Sequence, residues 1–210
     1  MERPLNTLFT LLGSRPSPFV RKVRVCLAEK NIPYEFEEVD VTSPDSIVYS
    51  RNPLGKIPCL LTPDLEPFYD SSVIVEYLEA TSPTPALFPT DPLARVQIKR
   101  IEALADGVLD AGILLRWENF QRPQGTQDPA WITRQTRKLD TGLQALGREL
   151  GDRQYVLGET LTFADLTVGV TLGWLNFRFP DHAWSREFPG LRSLLERLEA
   201  RESFASTRPA

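Results

Sequence analysis

Two serines near the start of the sequence are the first side chains that could do chemistry. Ser17 is a favoured helix N-cap, and Pro18 suits the first helical position, where its missing N–H would be unpaired in any case. Free N–H groups and the helix dipole stabilise an anion at this end. A hydroxyl placed there can donate to a thiolate and lower its pKa. The residues leave open whether Ser17 activates a thiolate or only caps the helix, and Ser14 is a rival donor.

A second segment has the composition of a tight turn that enters a strand: Asn52-Pro53-Leu54-Gly55-Lys56-Ile57-Pro58. If the bond between Ile57 and Pro58 is cis, the N–H and C=O of Ile57 point outward and can pair with an extended, peptide-like ligand. Lys56 could meet a carboxylate, or stand alone as a solvated surface lysine.

A third segment, Asp70-Ser71, opens a predicted helix. Asp70 could bind the ammonium group of an amino acid, while Ser71 and the free N–H groups bind its carboxylate. Plain helix capping explains the same two residues.

Composition excludes several other kinds of chemistry. The 210 residues carry 24 Lys and Arg against 28 Asp and Glu, a formal net charge of −4, so no basic field attracts nucleic acid. No run approaches the roughly 18 apolar residues of a membrane span, so no membrane partner is predicted. The single histidine, His182, excludes two-histidine metal sites and is predicted to be a solvated loop residue; no metal is expected. Cys26 and Cys59 lack CxxC spacing and predict buried thiols in a reducing compartment, the cytoplasm.

The elements that must position these residues fall into two parts. Short apolar or alternating runs predict strands at 8–12, 34–39, 57–61 and 67–69, with helices at 18–30, 45–49 and 71–79. The order is βαβαββα. Closely spaced prolines then end one helix and delay the next, which places a linker at 83–92 between domains at 1–82 and 93–210.

The second part is predicted to be entirely helical. Apolar residues recur every three to four positions over 92–120 and 132–150, and the run 163–177 is apolar nearly all round, as in a central buried helix. A last amphipathic helix follows Pro189. Thr162 and Asp165 have the spacing of a capping box, which is a structural role.

Five segments, in chain order, resemble motifs of the cytosolic glutathione transferases: Ser17-Pro18-Phe19-Val20-Arg21-Lys22-Val23, the turn Asn52 to Pro58, Asp70-Ser71, Gly158-Glu159-Thr160-Leu161-Thr162-Phe163-Ala164-Asp165, and Phe188-Pro189-Gly190-Leu191 with Arg201-Glu202-Ser203-Phe204. The resemblance spans nearly the whole chain. It implies an α/β thioredoxin-like N-terminal domain followed by an all-α helical bundle, in a bacterial, serine-type member of the family.

The resemblance also implies glutathione as co-substrate. Ser17 would donate to the thiolate, Ile57 and cis Pro58 would pair with the cysteinyl backbone, and Lys56 would face the glycyl carboxylate. Asp70 and Ser71 would hold the γ-glutamyl end, and Phe19 within the first motif counts as a further glutathione-binding residue. The implied function is transfer of glutathione to a small hydrophobic electrophile, or reduction of a peroxide, in detoxification by a cytoplasmic homodimer.

Two features of the sequence disfavour particular classes of glutathione transferase. No tyrosine precedes Tyr34, and Cys26 lies inside the first helix, which disfavours tyrosine-type and cysteine-type members. A glutathione-dependent isomerase stays an alternative, with Arg116 and Arg122 as charges for a dicarboxylate. The other alternative is a binding or regulatory protein with little turnover. Trp117 and Phe120 are candidates to line an electrophile pocket.

Overall fold

The structure is a computed structural model that describes residues 8–209. The described residues divide into two compact units. One, the sheet unit, comprises the residues up to Leu87 together with those from Arg201 onward. The other, the helical unit, is Phe88–Ala200. The first boundary falls inside the predicted linker.

The sheet unit has the predicted order βαβαββα, and the predicted fold class is confirmed. Its elements are β1 (Phe9–Gly13), α1 (Pro18–Glu29), β2 (Tyr34–Glu38), α2 (Val48–Arg51), β3 (Cys59–Leu61), β4 (Pro67–Phe68) and α3 (Ser71–Thr81). The strand order is β2-β1-β3-β4, with β1 parallel to β2 and the other two pairs antiparallel. The short helix α2 begins three residues later than the predicted 45–49, at the point where Val48 is buried.

The C-terminal segment corrects the predicted domain 93–210. A short helix, α9 (Glu202–Ala205), packs on α1 and belongs to the sheet unit. Arg21 donates to the carbonyl of Phe204 at 3.2 Å, and its guanidinium lies 5.2 Å from the buried Phe204 ring. Arg201 forms two hydrogen bonds with Glu29. The partners of this segment therefore lie on α1, almost 180 residues earlier in the sequence, where a periodicity cannot reveal them.

The helical unit is built from α4 (Pro92–Phe120), α5 (Pro129–Leu150), α6 (Phe163–Arg178), α7 (Trp184–Glu187) and α8 (Pro189–Glu199). The helix α6 is buried nearly all round, as its composition predicts. Asp165 accepts the backbone N–H and the hydroxyl of Thr162 at 2.8 and 3.0 Å, which is the predicted capping box. None of the helices in the described residues is both long enough and apolar enough to cross a membrane.

His182 is not the solvated loop residue that the sequence predicts. Its Nδ1 accepts the N–H of Trp184 at 3.1 Å, so the ring proton sits on Nε2, which donates to Asp140 on α5 at 3.1 Å. Both ring nitrogens are thus used to hold the segment before α7. The two hydrogen bonds give His182 a structural role.

Candidate functional site

Strand register brings the three candidate segments to one edge of the sheet. Leu12 pairs with Cys59 in antiparallel strands, so β1 ends where β3 begins. Leu60 pairs with Phe68, so β4 ends at the same place. Ser17, Ile57 and Asp70 each lie within a few residues of these strand ends. We call this edge the site edge.

A shared apolar cluster fixes two of these segments to each other. Ile57 and Tyr69 both pack against a buried core below the site edge, formed by Leu12, Val39, Val48, Cys59 and Leu61. Since Ile57 precedes Pro58 and Tyr69 precedes Asp70, the burial of these two side chains sets where the turn and the start of α3 lie.

Ser17 is the N-cap of α1, as predicted. Its Oγ accepts the N–H of Val20 at 3.4 Å, and its own N–H donates to the carbonyl of Ser14 at 3.0 Å. An oxygen that only accepts keeps its proton available, and no described residue accepts the hydroxyl proton of Ser17. Capping and donation to a ligand are therefore compatible. The hydroxyl of Ser14 also has no hydrogen bond with a described residue.

The turn that carries Ile57 is held by the buried side chain of Asn52. Its Oδ1 accepts the N–H of Leu54 at 3.0 Å and its Nδ2 donates to the carbonyl of Lys56 at 2.8 Å. Gly55 adopts a φ of 62°, a left-handed conformation that glycine tolerates best. The site residues predicted from the sequence do not include Asn52, although asparagine at the start of a turn is a recognisable signal.

Ile57 presents an unused backbone at the end of this turn. The Ile57–Pro58 bond is cis. Neither the N–H nor the C=O of Ile57 forms a hydrogen bond with a described residue. The N–H and C=O are thus available to an extended ligand, as in addition of a strand to a sheet edge. Lys56 beside it is exposed and makes no ion pair within the described part of the chain.

Asp70 caps α3 with one of its two carboxylate oxygens. Oδ1 accepts the N–H groups of Ser72 and Val73 at 3.0 and 3.4 Å, whereas Oδ2 accepts nothing from the residues that the structure describes. The buried Ser71 is the first helical residue, and neither its N–H nor its hydroxyl has a partner there. One acceptor and two donors therefore stand side by side, a pattern that suits an amino acid's ammonium and carboxylate.

The remaining groups around the site edge are inert or apolar. Burial raises the pKa of the Cys59 thiol to about 11, although the nearby charge of Arg51 opposes it, so this thiol stays protonated near neutral pH. Phe19 is half-buried in the first turn of α1, with the Lys22 ammonium 5.6 Å from its ring centroid. Within residues 8–209 no group of three His, Cys, Asp or Glu side chains is placed to hold a metal ion.

Comparison with known proteins assigns the family. A family model described as the N-terminal domain of glutathione S-transferase matches residues 16–81, and one described as its C-terminal domain matches residues 129–197. The chain belongs to the glutathione S-transferase family. A GST-like protein of Escherichia coli K12, YibF, is 40% identical over 95% of this chain and 98% of its own length.

Solved structures agree with this assignment. A glutathione S-transferase from Methylobacterium radiotolerans, in complex with glutathione sulfonate, is 40% identical with a TM-score of 0.93, covering 97% of this chain and 95% of that one. Another, from Methylobacillus flagellatus with glutathione bound, is 41% identical with a TM-score of 0.92, covering 96% of this chain and all of that one. The family predicted from the five sequence motifs is confirmed.

Proposed function

We propose that this protein is a glutathione transferase that activates the thiol of glutathione through the hydroxyl of Ser17. The observation that carries the proposal is the unused proton of Ser17 at the same sheet edge as the unpaired backbone of Ile57. Relatives with about 40% identity hold glutathione or its sulfonate, which supports the same co-substrate here.

Each part of glutathione meets a group of the matching chemistry. The N–H and C=O of Ile57 pair with the cysteinyl backbone. Oδ2 of Asp70 accepts from the γ-glutamyl ammonium, and the N–H and hydroxyl of Ser71 donate to its carboxylate. Lys56 faces the glycyl carboxylate, and Phe19 packs beside the site.

The energetics of thiol activation are within reach of the Ser17 hydroxyl. A thiol with a pKa of about 8.5 is only about 3% thiolate at pH 7. Lowering that pKa by about 2 units takes about 2.7 kcal/mol of preference for the thiolate. One or two hydrogen bonds to a charged group supply about this much.

The reaction we propose is attack of the thiolate on a small electrophile. The sulfur forms a bond to an electrophilic carbon, and the leaving group departs with the electron pair of the bond that breaks. With a peroxide, the thiolate attacks the terminal oxygen, the O–O bond breaks, and the departing alkoxide takes a proton from water to leave as an alcohol. A second glutathione then converts the sulfenic acid to the disulfide with loss of water. The serine-type class and a role in detoxification are part of this proposal.

Two further features belong to the proposal. We propose a homodimer, because α4 exposes large apolar side chains such as Leu93, 76% exposed, and Val96, 58% exposed, which a second copy of the chain would cover. Light scattering would measure the mass, and a monomer at micromolar concentration would contradict it. We place the protein in the cytoplasm, where glutathione and reduced cysteines coexist.

The test is a titration of bound glutathione. The thiolate absorbance would be followed against pH in the wild type, in Ser17→Ala and in Ser14→Ala as the matched control. We expect a pKa well below that of free glutathione in the wild type and the control, and a return toward the free value in Ser17→Ala. An unshifted pKa in all three would refute activation and favour a binding protein with little turnover, whereas a loss confined to Ser14→Ala would move the role to Ser14.

A further inference from the structure

Two half-buried arginines of the helical unit have no acidic partner among the described residues. Arg116 on α4 and Arg178 at the end of α6 are half-buried, and neither forms a hydrogen bond or an ion pair with a described residue. By contrast Arg122 pairs with Glu118 at 3.1 Å and donates to the carbonyl of Thr126. Of the two arginines suggested for a dicarboxylate, Arg122 thus already has a carboxylate partner, whereas Arg116 and Arg178 do not within the described residues.

The packing of α4 on α6 brings Arg116 and Arg178 to the same helix contact. A Cβ added to Gly112 would lie only 2.7 Å from the ring of Trp174 and 3.6 Å from that of Phe179, so the helices approach closely at this level. Arg116 lies one turn beyond Gly112 on α4, and Arg178 directly precedes Phe179, whose ring faces Gly112, so both arginines lie near this contact. Burial lowers the pKa of Arg178, and the positive charge of Arg116 lowers it further, in agreement with this proximity.

Exposed aromatic rings flank both charges. The Arg116 guanidinium lies 5.7 Å from the ring centroid of Phe120, and that of Arg178 lies 4.1 Å from the ring of Phe177. Phe120 is 66% exposed and Phe177 is 37% exposed. The surface thus combines two neighbouring cations with two apolar rings. An anion with an apolar body would neutralise the two cations and cover the two rings.

We propose that Arg116 and Arg178 bind the carboxylate of an aromatic organic acid whose ring packs against Phe120 and Phe177. Guanidinium groups match a carboxylate with paired, planar hydrogen bonds, which favours them over lysines for this ligand. The two rings favour an acid with an apolar body over inorganic phosphate. The binding of the acid is argued from these four residues alone. That the bound acid is the second substrate of the transferase rests on the proposed function.

Binding is tested with an unreactive ligand pair. Hydrocinnamate carries the carboxylate and an aryl ring, and hydrocinnamamide has the same shape without charge. We expect calorimetry to show that the wild type binds the acid more tightly than the amide. Arg116→Gln and Arg178→Gln should each weaken the binding of the acid about tenfold or more. Arg116→Lys keeps a charge and should bind the acid more tightly than Arg116→Gln. Arg186→Gln, an exposed arginine of the same unit, is the matched control.

Turnover is tested with two aryl chlorides, chlorodinitrobenzene and a chlorodinitrobenzoate. In each, sulfur replaces chloride, which leaves as the ion. We expect the ratio of kcat/KM for the acid over the neutral compound to fall about tenfold in the two Gln variants and to stay unchanged in Arg186→Gln.

The outcomes separate the two proposals. If the wild type conjugates both chlorides with a ratio that the Arg116 and Arg178 variants do not change, the anion site is refuted and the transferase stands. If neither chloride reacts but hydrocinnamate binds in a manner dependent on both arginines, the site stands and the transferase fails. If the wild type binds acid and amide equally, the anion site is refuted whatever the activity.

Discussion

Replacing Glu29 with glutamine should loosen the C-terminal segment from the sheet unit. Glu29 is the last residue of α1, and its carboxylate accepts Nε and Nη2 of Arg201, both at 2.7 Å, and the hydroxyl of Ser203. The Glu29 side chain is nearly buried, whereas 40% of the Arg201 side chain is exposed. Glutamine keeps the shape of the side chain and removes the charge that all three donors share.

The expected loss is about 2 kcal/mol. A hydrogen bond to a charged group contributes about 1.5–3 kcal/mol, and the exposure of Arg201 places these near the lower end because water screens the pair. Three such bonds amount to about 4.5 kcal/mol. The single amide oxygen of glutamine can accept only the two donors that share Oε1, and the NH2 group at the other position cannot accept Nη2 of Arg201. One bond is therefore lost and the other two are weakened, so the amide retains about half. A loss of about 2 kcal/mol corresponds to opening of the segment that is about thirtyfold more frequent.

The effect should depend on pH in a defined direction. Burial by itself would raise the pKa of Glu29, but the hydrogen bonds from Arg201 and Ser203 outweigh it, and the pKa is lowered. A carboxyl whose pKa is lower in the folded protein stabilises the fold above its unfolded pKa, about 4.3, and loses that contribution as the pH falls through the folded value. Wild type and variant should therefore differ at pH 7 and converge in strong acid.

Amide hydrogen exchange measures this opening directly. The N–H groups of Ala205 and Ser206 donate to backbone carbonyls within the segment, at 2.9 Å each, and report its docking. We expect both to exchange about thirtyfold faster in Glu29→Gln at pH 7. Glu35→Gln, an exposed glutamate on β2 without a partner among the described residues, is the matched control. Equal rates in the wild type and Glu29→Gln, or equal acceleration in both variants, would refute the reasoning.

Two further predictions concern buried groups of the sheet unit. Glu79→Gln should lower the free energy of unfolding by about 3 kcal/mol or more, because the ammonium of the fully buried Lys30 lies 2.7 Å from Glu79 and loses its counter-charge. Urea unfolding followed by circular dichroism would measure the loss. A loss no larger than that of Glu35→Gln would contradict the prediction. Cys59 should resist alkylation at pH 8 in the native protein and react in urea, because burial raises the pKa of its thiol to about 11. Mass spectrometry on a Cys26→Ala background would count the adducts. Rapid modification of the native protein would contradict the raised pKa.

Local sequence patterns predict most of the secondary structure. The long helix α4 has the predicted bounds Pro92–Phe120, since Asp91 caps its start by accepting the N–H of Ala94 at 2.7 Å and an apolar stripe runs along its length. Of the four-residue helices in the described part of the chain, α7 and α9 have no counterpart in the prediction, and α2 is predicted three residues too early. A helix of four residues is one turn long, so no period can be read from it.

The candidate site could be predicted in its parts and not in its geometry. Ser17 and Asp70 are capping residues of recognisable type, and the turn at Gly55 carries its own signals. Whether their remaining donors and acceptors are unused depends on every neighbour, so only the structure shows that the Ser17 proton and the Ile57 backbone are free of described partners.

The sequence by itself determined the βαβαββα order and the helical second half, because caps, turns and periodicities are local and act within a few positions. The resemblance of five motifs gave the family, and the glutathione residues that it implies stay a prediction. Tertiary structure alone decided three things: the docking of the last residues on α1, the engagement of both His182 nitrogens, and the placement of Arg116 and Arg178 at one contact of α4 with α6. Each of the three brings together residues more than 40 positions apart in the sequence. Such pairings are set by how helices pack rather than by any pattern along the chain.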